Sequence, residues 1–217
     1  MKPLVERYFG GLPSIHRKEM WKDVGVRSSV GVIEKTVEKG IEPKSQTAIV
    51  FTGPFEYDPS HRTTLRAMSH ILQTRLLDSI REELGGTYTI SVNGNGQKIP
   101  RQEYQVSIQF GGDPQRVDVL LKRVFEEIEK LKTNGPTEQE IADEKEALLR
   151  EFETSSKQNG FLLGQIAGKY QIGEDVAGIW DAPELYKKID APSVQQAART
   201  YLNTGNYVRV TLVPEKK

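Results

Sequence analysis

Between residues 88 and 110 the chain twice alternates apolar and polar side chains with a strict period of two, and no other feature restricts its fold as much. Tyr88, Ile90 and Val92 interleave with Thr87, Thr89, Ser91 and Asn93; Tyr104, Val106, Ile108 and Phe110 interleave with Gln105, Ser107 and Gln109. Successive side chains of a strand point to opposite faces, so each run has one face to bury and one face free of that requirement. The turn signals Gly94-Asn95-Gly96 between the runs predict a hairpin. A one-sided sheet needs a second layer to cover it. Helical stripes on either side supply one: Leu65, Met68, Leu72, Leu76 and Ile80 after Pro59-Ser60, and Val117, Leu120, Leu121, Val124, Ile128 and Leu131 after Asp113-Pro114.

The first of these helices is predicted to stop at Gly85-Gly86 and the second at Asn134-Gly135-Pro136. Thr137 with Glu140 forms a capping box opening a further helix through Ile141, Leu148, Leu149 and Phe152. Leu163, Ile166, Ala167 and Tyr170 mark another, and shorter helices are expected at Pro183 to Ile189 and Ser193 to Leu202. Further strands are read at Ser29 to Glu38, at Ser45 to Gly53, where both faces read as buried, and at Tyr207 to Val213. Leu4, Val5, Tyr8 and Phe9 have helical spacing that Gly10-Gly11-Leu12-Pro13 breaks, so the chain is expected to begin inside an element, as a fragment of a longer polypeptide. The layout is α+β: a single domain over residues 1–217, with a mostly antiparallel sheet of about five strands and helices packed on one face.

Lys plus Arg equals Asp plus Glu at 30 each, so no net field draws in phosphate backbones or anionic membranes, and nucleic acid is not an expected partner. The longest apolar run, Ala48 to Phe51, is far short of the roughly 20 residues that span a bilayer. The chain has no cysteine, which excludes disulfides, thiolate metal sites and cysteine nucleophiles and fits cytoplasm and periplasm alike.

The three histidines, His16, His61 and His70, make a metal site easy to audit. His16-Arg17-Lys18-Glu19-Met20 has the first half of an inverted zincin motif, with Met20 where the second histidine would stand. Catalytic zinc needs three converging nitrogen or oxygen ligands, and this segment offers at most two. His61 reads as a solvent-facing residue near a helix start and His70 as an ordinary helix histidine. No serine sits in a Gly-x-Ser-x-Gly turn, and Gly94-Asn95-Gly96 and Gly111-Gly112 read as turns, lacking the context of a phosphate loop. No catalytic residue and no metal ligand is assigned.

Arg81-Glu82-Glu83-Leu84-Gly85-Gly86-Thr87-Tyr88 resembles the Arg-Glu-Glu-Leu-Gly-x-x-Tyr signature in the carboxyl-half domains of pitrilysin/insulinase-type zinc peptidases, the inverzincins. Glu6 to Pro13 resembles the helix end closing that family's first crossover, Gly135 to Ile141 the start of its long carboxyl helix, and Ser193 to Pro214 its closing helix and strand. The resemblance implies the domain fold shared with mitochondrial processing peptidase, four such domains closing over a chamber, and zinc held in the catalytic domain of the parent, none in this chain. It implies a metal-free carboxyl-half domain, of a bacterial zinc protease, whose partners are the amino-terminal catalytic half of the same polypeptide and a peptide substrate. For a bacterial parent the periplasm is favoured over the cytoplasm. The isolated chain is expected to be inactive.

The same resemblance assigns Arg81 and Tyr88 to substrate binding, hydrogen-bonding peptide backbone near the scissile bond. Helix geometry alone allows Arg81 a solvated shoulder position, and strict alternation puts Tyr88 on the apolar face with Ile90 and Val92 unless Gly85-Gly86 re-aims it. A polar sheet face of Thr89, Ser91, Gln105, Ser107 and Gln109 left uncovered by helices is expected to line the chamber. The alternative is a non-catalytic structural or partner subunit of the same fold, distinguished by whether a His-x-x-Glu-His motif lies upstream in the same reading frame.

Overall fold

The five strands form one sheet in the order β1-β5-β2-β4-β3: β1 (Val32–Glu38), β2 (Ser45–Pro54), β3 (Thr89–Gln97), β4 (Glu103–Gly112) and β5 (Tyr207–Val213). β1 runs parallel to β5, and every other pair is antiparallel. This computed structural model describes residues 1–13, 20–84 and 89–215, apart from the side chains of 81–84. The α+β reading holds, with one parallel pair at the edge.

One sheet face forms the core. Ile49 and Phe51, Ile90 and Val92, Tyr104 through Phe110 at alternate positions, and Tyr207 are all buried on it. Against them lie α2 (Pro59–Leu84), α3 (Val117–Asn134) and α7 (Ala191–Tyr201). The stripe Leu65, Met68, Leu72, Leu76 and Ile80 is at most 3% exposed, and Leu120, Val124, Ile128 and Leu131 are buried with it. Each such side chain contributes about 1.5–3 kcal/mol by leaving water. Outside this layer sit α4 (Glu138–Ser155) and α6 (Ala182–Lys187), which pack on each other, then α5 (Asn159–Ile172); α1 (Lys2–Tyr8) opens the chain with no buried residue.

Four local readings change. Gly94-Asn95-Gly96 lies inside β3; the turn is formed by residues 98–102. A Cβ on Gly94 would lie 2.1 Å from the Ser69 hydroxyl, and one on Gly96 would lie 2.2 Å from the Phe55 ring. These glycines are there for close approach of α2 and Phe55 to the strand. Gly111-Gly112 likewise ends β4. The first strand begins at Val32, and β2 buries only the face of Ile49 and Phe51, leaving Ala48 and Val50 half-buried on the other.

The helix layer is locked at the α3–α4 link. Thr137 and Glu140 form the expected capping box, with the Thr137 amide donating to Glu140 Oε2 at 2.7 Å. Arg75 from α2 grips the same carboxylate, its Nε donating at 2.5 Å and its Nη2 at 2.7 Å, and Nη2 also reaches the Gly135 carbonyl at 2.9 Å. Gly135 has φ of 71°, which admits the sharp exit from α3. From α7, Gln195 and Arg199 donate to the last carbonyls of α3 at Thr133 and Lys132, each at 2.8 Å.

Burial raises the Glu140 carboxyl, but the Arg75 and Thr137 hydrogen bonds outweigh it and hold the group below the ordinary carboxylate range. The unfolded chain is therefore protonated first as pH falls. The stabilisation is complete above the ordinary glutamate value of about 4.3 and is lost as pH drops through the lower folded value. Glu140→Gln is expected to cost about 1.5–3 kcal/mol at pH 7 and progressively less as pH falls below the ordinary carboxylate range, read by urea unfolding across that range. Gly96→Ala should cost about 1–3 kcal/mol at any pH, because the Phe55 ring, itself buried, has to move.

Candidate functional site

Among the described residues no helix packs on the sheet's second face, which is open to receive another chain. Three registered rows cross it: Val37–Leu212–Gln46–Gly111–Thr89, Lys35–Val210–Ala48–Gln109–Ser91 and Ile33–Val208–Val50–Ser107–Asn93. The β1, β5 and β2 side is aliphatic, with Val37, Val210 and Leu212 exposed at 40–45%. The β4 and β3 side is amide and hydroxyl, where Gln109 Nε2 donates to Ser107 Oγ at 3.3 Å. Thr89, Ser91, Gln105, Ser107 and Gln109 stand opposite the core face, so the expected register is right and α3 does not cover them. Sequence reading missed the aliphatic half, because the consecutive apolar residues Ala48 to Phe51 make β2 look like a strand buried on both faces.

Lys35 is the one charged side chain in these three rows. A neutral wall of this kind costs an incoming peptide little desolvation. Its aliphatic half gains from apolar contact at roughly 25 cal/mol per Å², and its polar half offers donors and acceptors to a peptide backbone. None of the side chains in the three rows is an acid or base suited to proton transfer near neutral pH, so the face can bind and orient without cleaving.

Arg81 is in the last turn of α2, in the helix layer, and Tyr88 lies outside the described residues, immediately before Thr89 at the start of edge strand β3. The signature therefore links the end of the principal core helix to the sheet edge. That edge is partly closed by α2, whose Gln73 accepts the outward Val92 amide at 2.9 Å.

His16 falls outside the described residues. His70 Nδ1 lies 3.0 Å from Oε1 of the buried Glu144, and His61 Nδ1 meets Asp58, whose other oxygen accepts the His61 amide at 2.9 Å. Burial raises the Asp58 carboxyl, but the hydrogen bonds from His61 outweigh it and leave the group below its ordinary value. Among the described residues Glu56, Asp58 and His61 are the one trio whose ligand atoms come within 4.8 Å of one another. Asp58 is already occupied at the helix start, and Glu56 is 78% exposed. His61 and His70, nine residues apart on α2, are about 13.5 Å apart along its axis and cannot share an ion. The described side chains do not fit a catalytic zinc site.

Residues 1–148 match the family model described as the Peptidase M16 inactive domain. The chloroplastic stromal processing peptidase of Pisum sativum is 27% identical over 142 residues, covering 64% of this chain and 11% of the pea protein. The periplasmic protease PqqL from Escherichia coli superposes with a TM-score of 0.81 at 21% identity, over 99% of this chain and 24% of that one. The first half of PqqL, solved separately, also matches, with a TM-score of 0.73 at 11% identity over 98% of this chain and 48% of that one. The ferredoxin protease FusC, solved as a mutant in complex with Arabidopsis ferredoxin, gives 0.79 at 20% identity, over 99% and 23%. The chain thus spans about a tenth of the pea relative and about a quarter of full-length PqqL and FusC.

The untagged chain, dialysed against zinc and then against buffer, is expected to retain no stoichiometric metal by elemental analysis. One tightly held ion per chain would contradict the histidine geometry.

Proposed function

Because this chain belongs to the family of Peptidase M16 inactive domains, we propose that it is the peptide-binding, chamber-closing wall of a zinc endopeptidase whose metal chemistry resides in a separate catalytic half of the parent. The observation that carries this reading is the sheet face over which no described helix lies, neutral but for Lys35 across its three five-strand rows and for Glu103 beyond them, aliphatic on one side and rich in amides and hydroxyls on the other. A solvated outer surface of a protein with 28% charged residues would carry lysines and glutamates there. A wall facing a polypeptide of varied sequence is better served by neutral groups.

On this reading Arg81 and Tyr88 act on the bound backbone. An arginine presents five donors and keeps its charge at any working pH. A tyrosine hydroxyl is a neutral donor whose hydrogen bond strengthens as a carbonyl becomes an oxyanion. The wall and the arginine hold substrate and transition state alike, whereas the tyrosine favours the transition state. The chain alone is inactive, and its partners are the catalytic half and a peptide. For a bacterial parent the compartment is the periplasm, as it is for PqqL.

In the full-length parent, Tyr88→Phe is expected to lower kcat about 10²–10³-fold with zinc content and melting temperature unchanged, the scale for one oxyanion donor. Arg81→Ala should raise KM as well as lower kcat. A kcat within twofold of the parent for Tyr88→Phe would place that ring in the core with Ile90 and Val92 and leave the domain as wall alone.

A further inference from the structure

α5 has a composition that belongs in an interior, yet none of its residues is buried. Its one charged side chain, Lys169, turns inward and donates to Glu174 at 3.1 Å, where Arg62 of α2 also donates at 3.0 Å. Lys98, from the β3–β4 turn, donates to the Ile172 carbonyl at 2.9 Å, and the Phe161 ring meets Phe152 of α4 edge-on. Gly173, left-handed at φ 72°, closes the helix. The inner side is thus fastened to three other parts of the fold.

Among the described residues nothing fastens the outer side. At 100° per residue, Leu163, Ile166, Ala167 and Tyr170 fall within an arc of about 100°, the width of a core-facing stripe. Leu163 is 69% and Tyr170 75% exposed, and a Cβ built on Gly160, Gly164 or Gly168 meets only open space. A helix of 14 residues is marginal by itself in water, and an apolar one is normally covered. The anchored inner side holds this ridge in place for a partner.

We propose that the outer face of α5 docks a second domain of the same parent polypeptide through an uncharged, apolar contact, an inference that rests on the reading of the chain as one domain of a longer peptidase. Three observations select this occupant. The fold takes up about a quarter of PqqL and of FusC and recurs in the first half of PqqL, so a neighbouring copy is tethered nearby in such proteins. Four side chains bury at most a few hundred Å², well short of the roughly 800 Å² per partner of a stable free complex. Within one polypeptide, an effective concentration in the millimolar range makes so small a contact sufficient. The stripe carries no charge to recruit a separate, electrostatically steered partner.

The chain contains no cysteine, so a single introduced thiol reports one position. Maleimide labelling of Tyr170→Cys, followed on the proteolytic peptide that carries it, is compared between the 217-residue chain and the full-length parent; Leu163→Cys is a second probe should the first fail to fold. The thiol is expected to label rapidly in the 217-residue chain and at least about tenfold more slowly in the parent. Equal rapid labelling in both, in a parent that cleaves peptide, would overturn the docking while leaving the peptidase reading intact. Slow labelling in a dimeric 217-residue chain would make a second copy the occupant and overturn it too. Protection in a parent that cleaves no peptide would support the docking and sink the peptidase reading. Ile166→Asp should leave the melting temperature of the 217-residue chain unchanged and lower that of the parent; an equal loss in both would mean that the face is packed within this chain.

Discussion

Everything in this fold depends on α2 lying flat against the hairpin β3–β4. Its stripe from Leu65 to Ile80 fills one face of the sheet, with Ile90, Val92, Val106 and Ile108 beneath it. The contact is close enough that two strand positions admit no side chain: the Ser69 hydroxyl, itself donating to the Leu65 carbonyl at 2.9 Å, occupies the space of a Cβ at Gly94, and Phe55 that at Gly96. With α3 and α7 completing the layer, all large helices of the core are committed to one side. The other face is left for whatever the parent protein brings to it.

This division of faces has a chemical consequence. The ion pairs that fix the helices, such as Arg75 with Glu140 and Arg62 with Glu174, lie in and around the helix layer. The open face is almost without charge, and the histidines of α2 are engaged by Glu144 and Asp58. Binding capacity and acid–base chemistry are thereby separated. On the proposed reading, a domain built in this way offers surface and hydrogen bonds while the reactive groups stand elsewhere in the parent.

Much of this was legible because local signals agreed. The α2 stripe, the alternation at Tyr104 to Phe110 and the Thr137–Glu140 box each obey a period or spacing that solvent and backbone geometry impose. Gly94-Asn95-Gly96 misled because the dipeptide that makes a tight turn is also what a strand needs under a closely packed helix, and only the tertiary partner decides between them. The aliphatic half of the open face was hidden for a related reason: Val208, Val210 and Leu212 look like core residues unless one knows that no helix lies over them. The apolar marks of α5, Leu163, Ile166, Ala167 and Tyr170, gave the helix correctly, yet periodicity cannot say whether the stripe meets this chain or another. Arg81 and Tyr88 were singled out by the signature alone; Arg81 falls in the last turn of the helix on which the core is built.

The separation of binding from chemistry is tested most directly by complementation in trans. The catalytic half of the parent, expressed without these 217 residues, is assayed for peptide hydrolysis alone and with the purified chain added. If this domain supplies the wall on which substrate is held, neither piece should turn over peptide appreciably and the mixture should. A catalytic half that cleaves at the parent's rate, unchanged when the chain is added, would contradict a substrate-binding role for this domain.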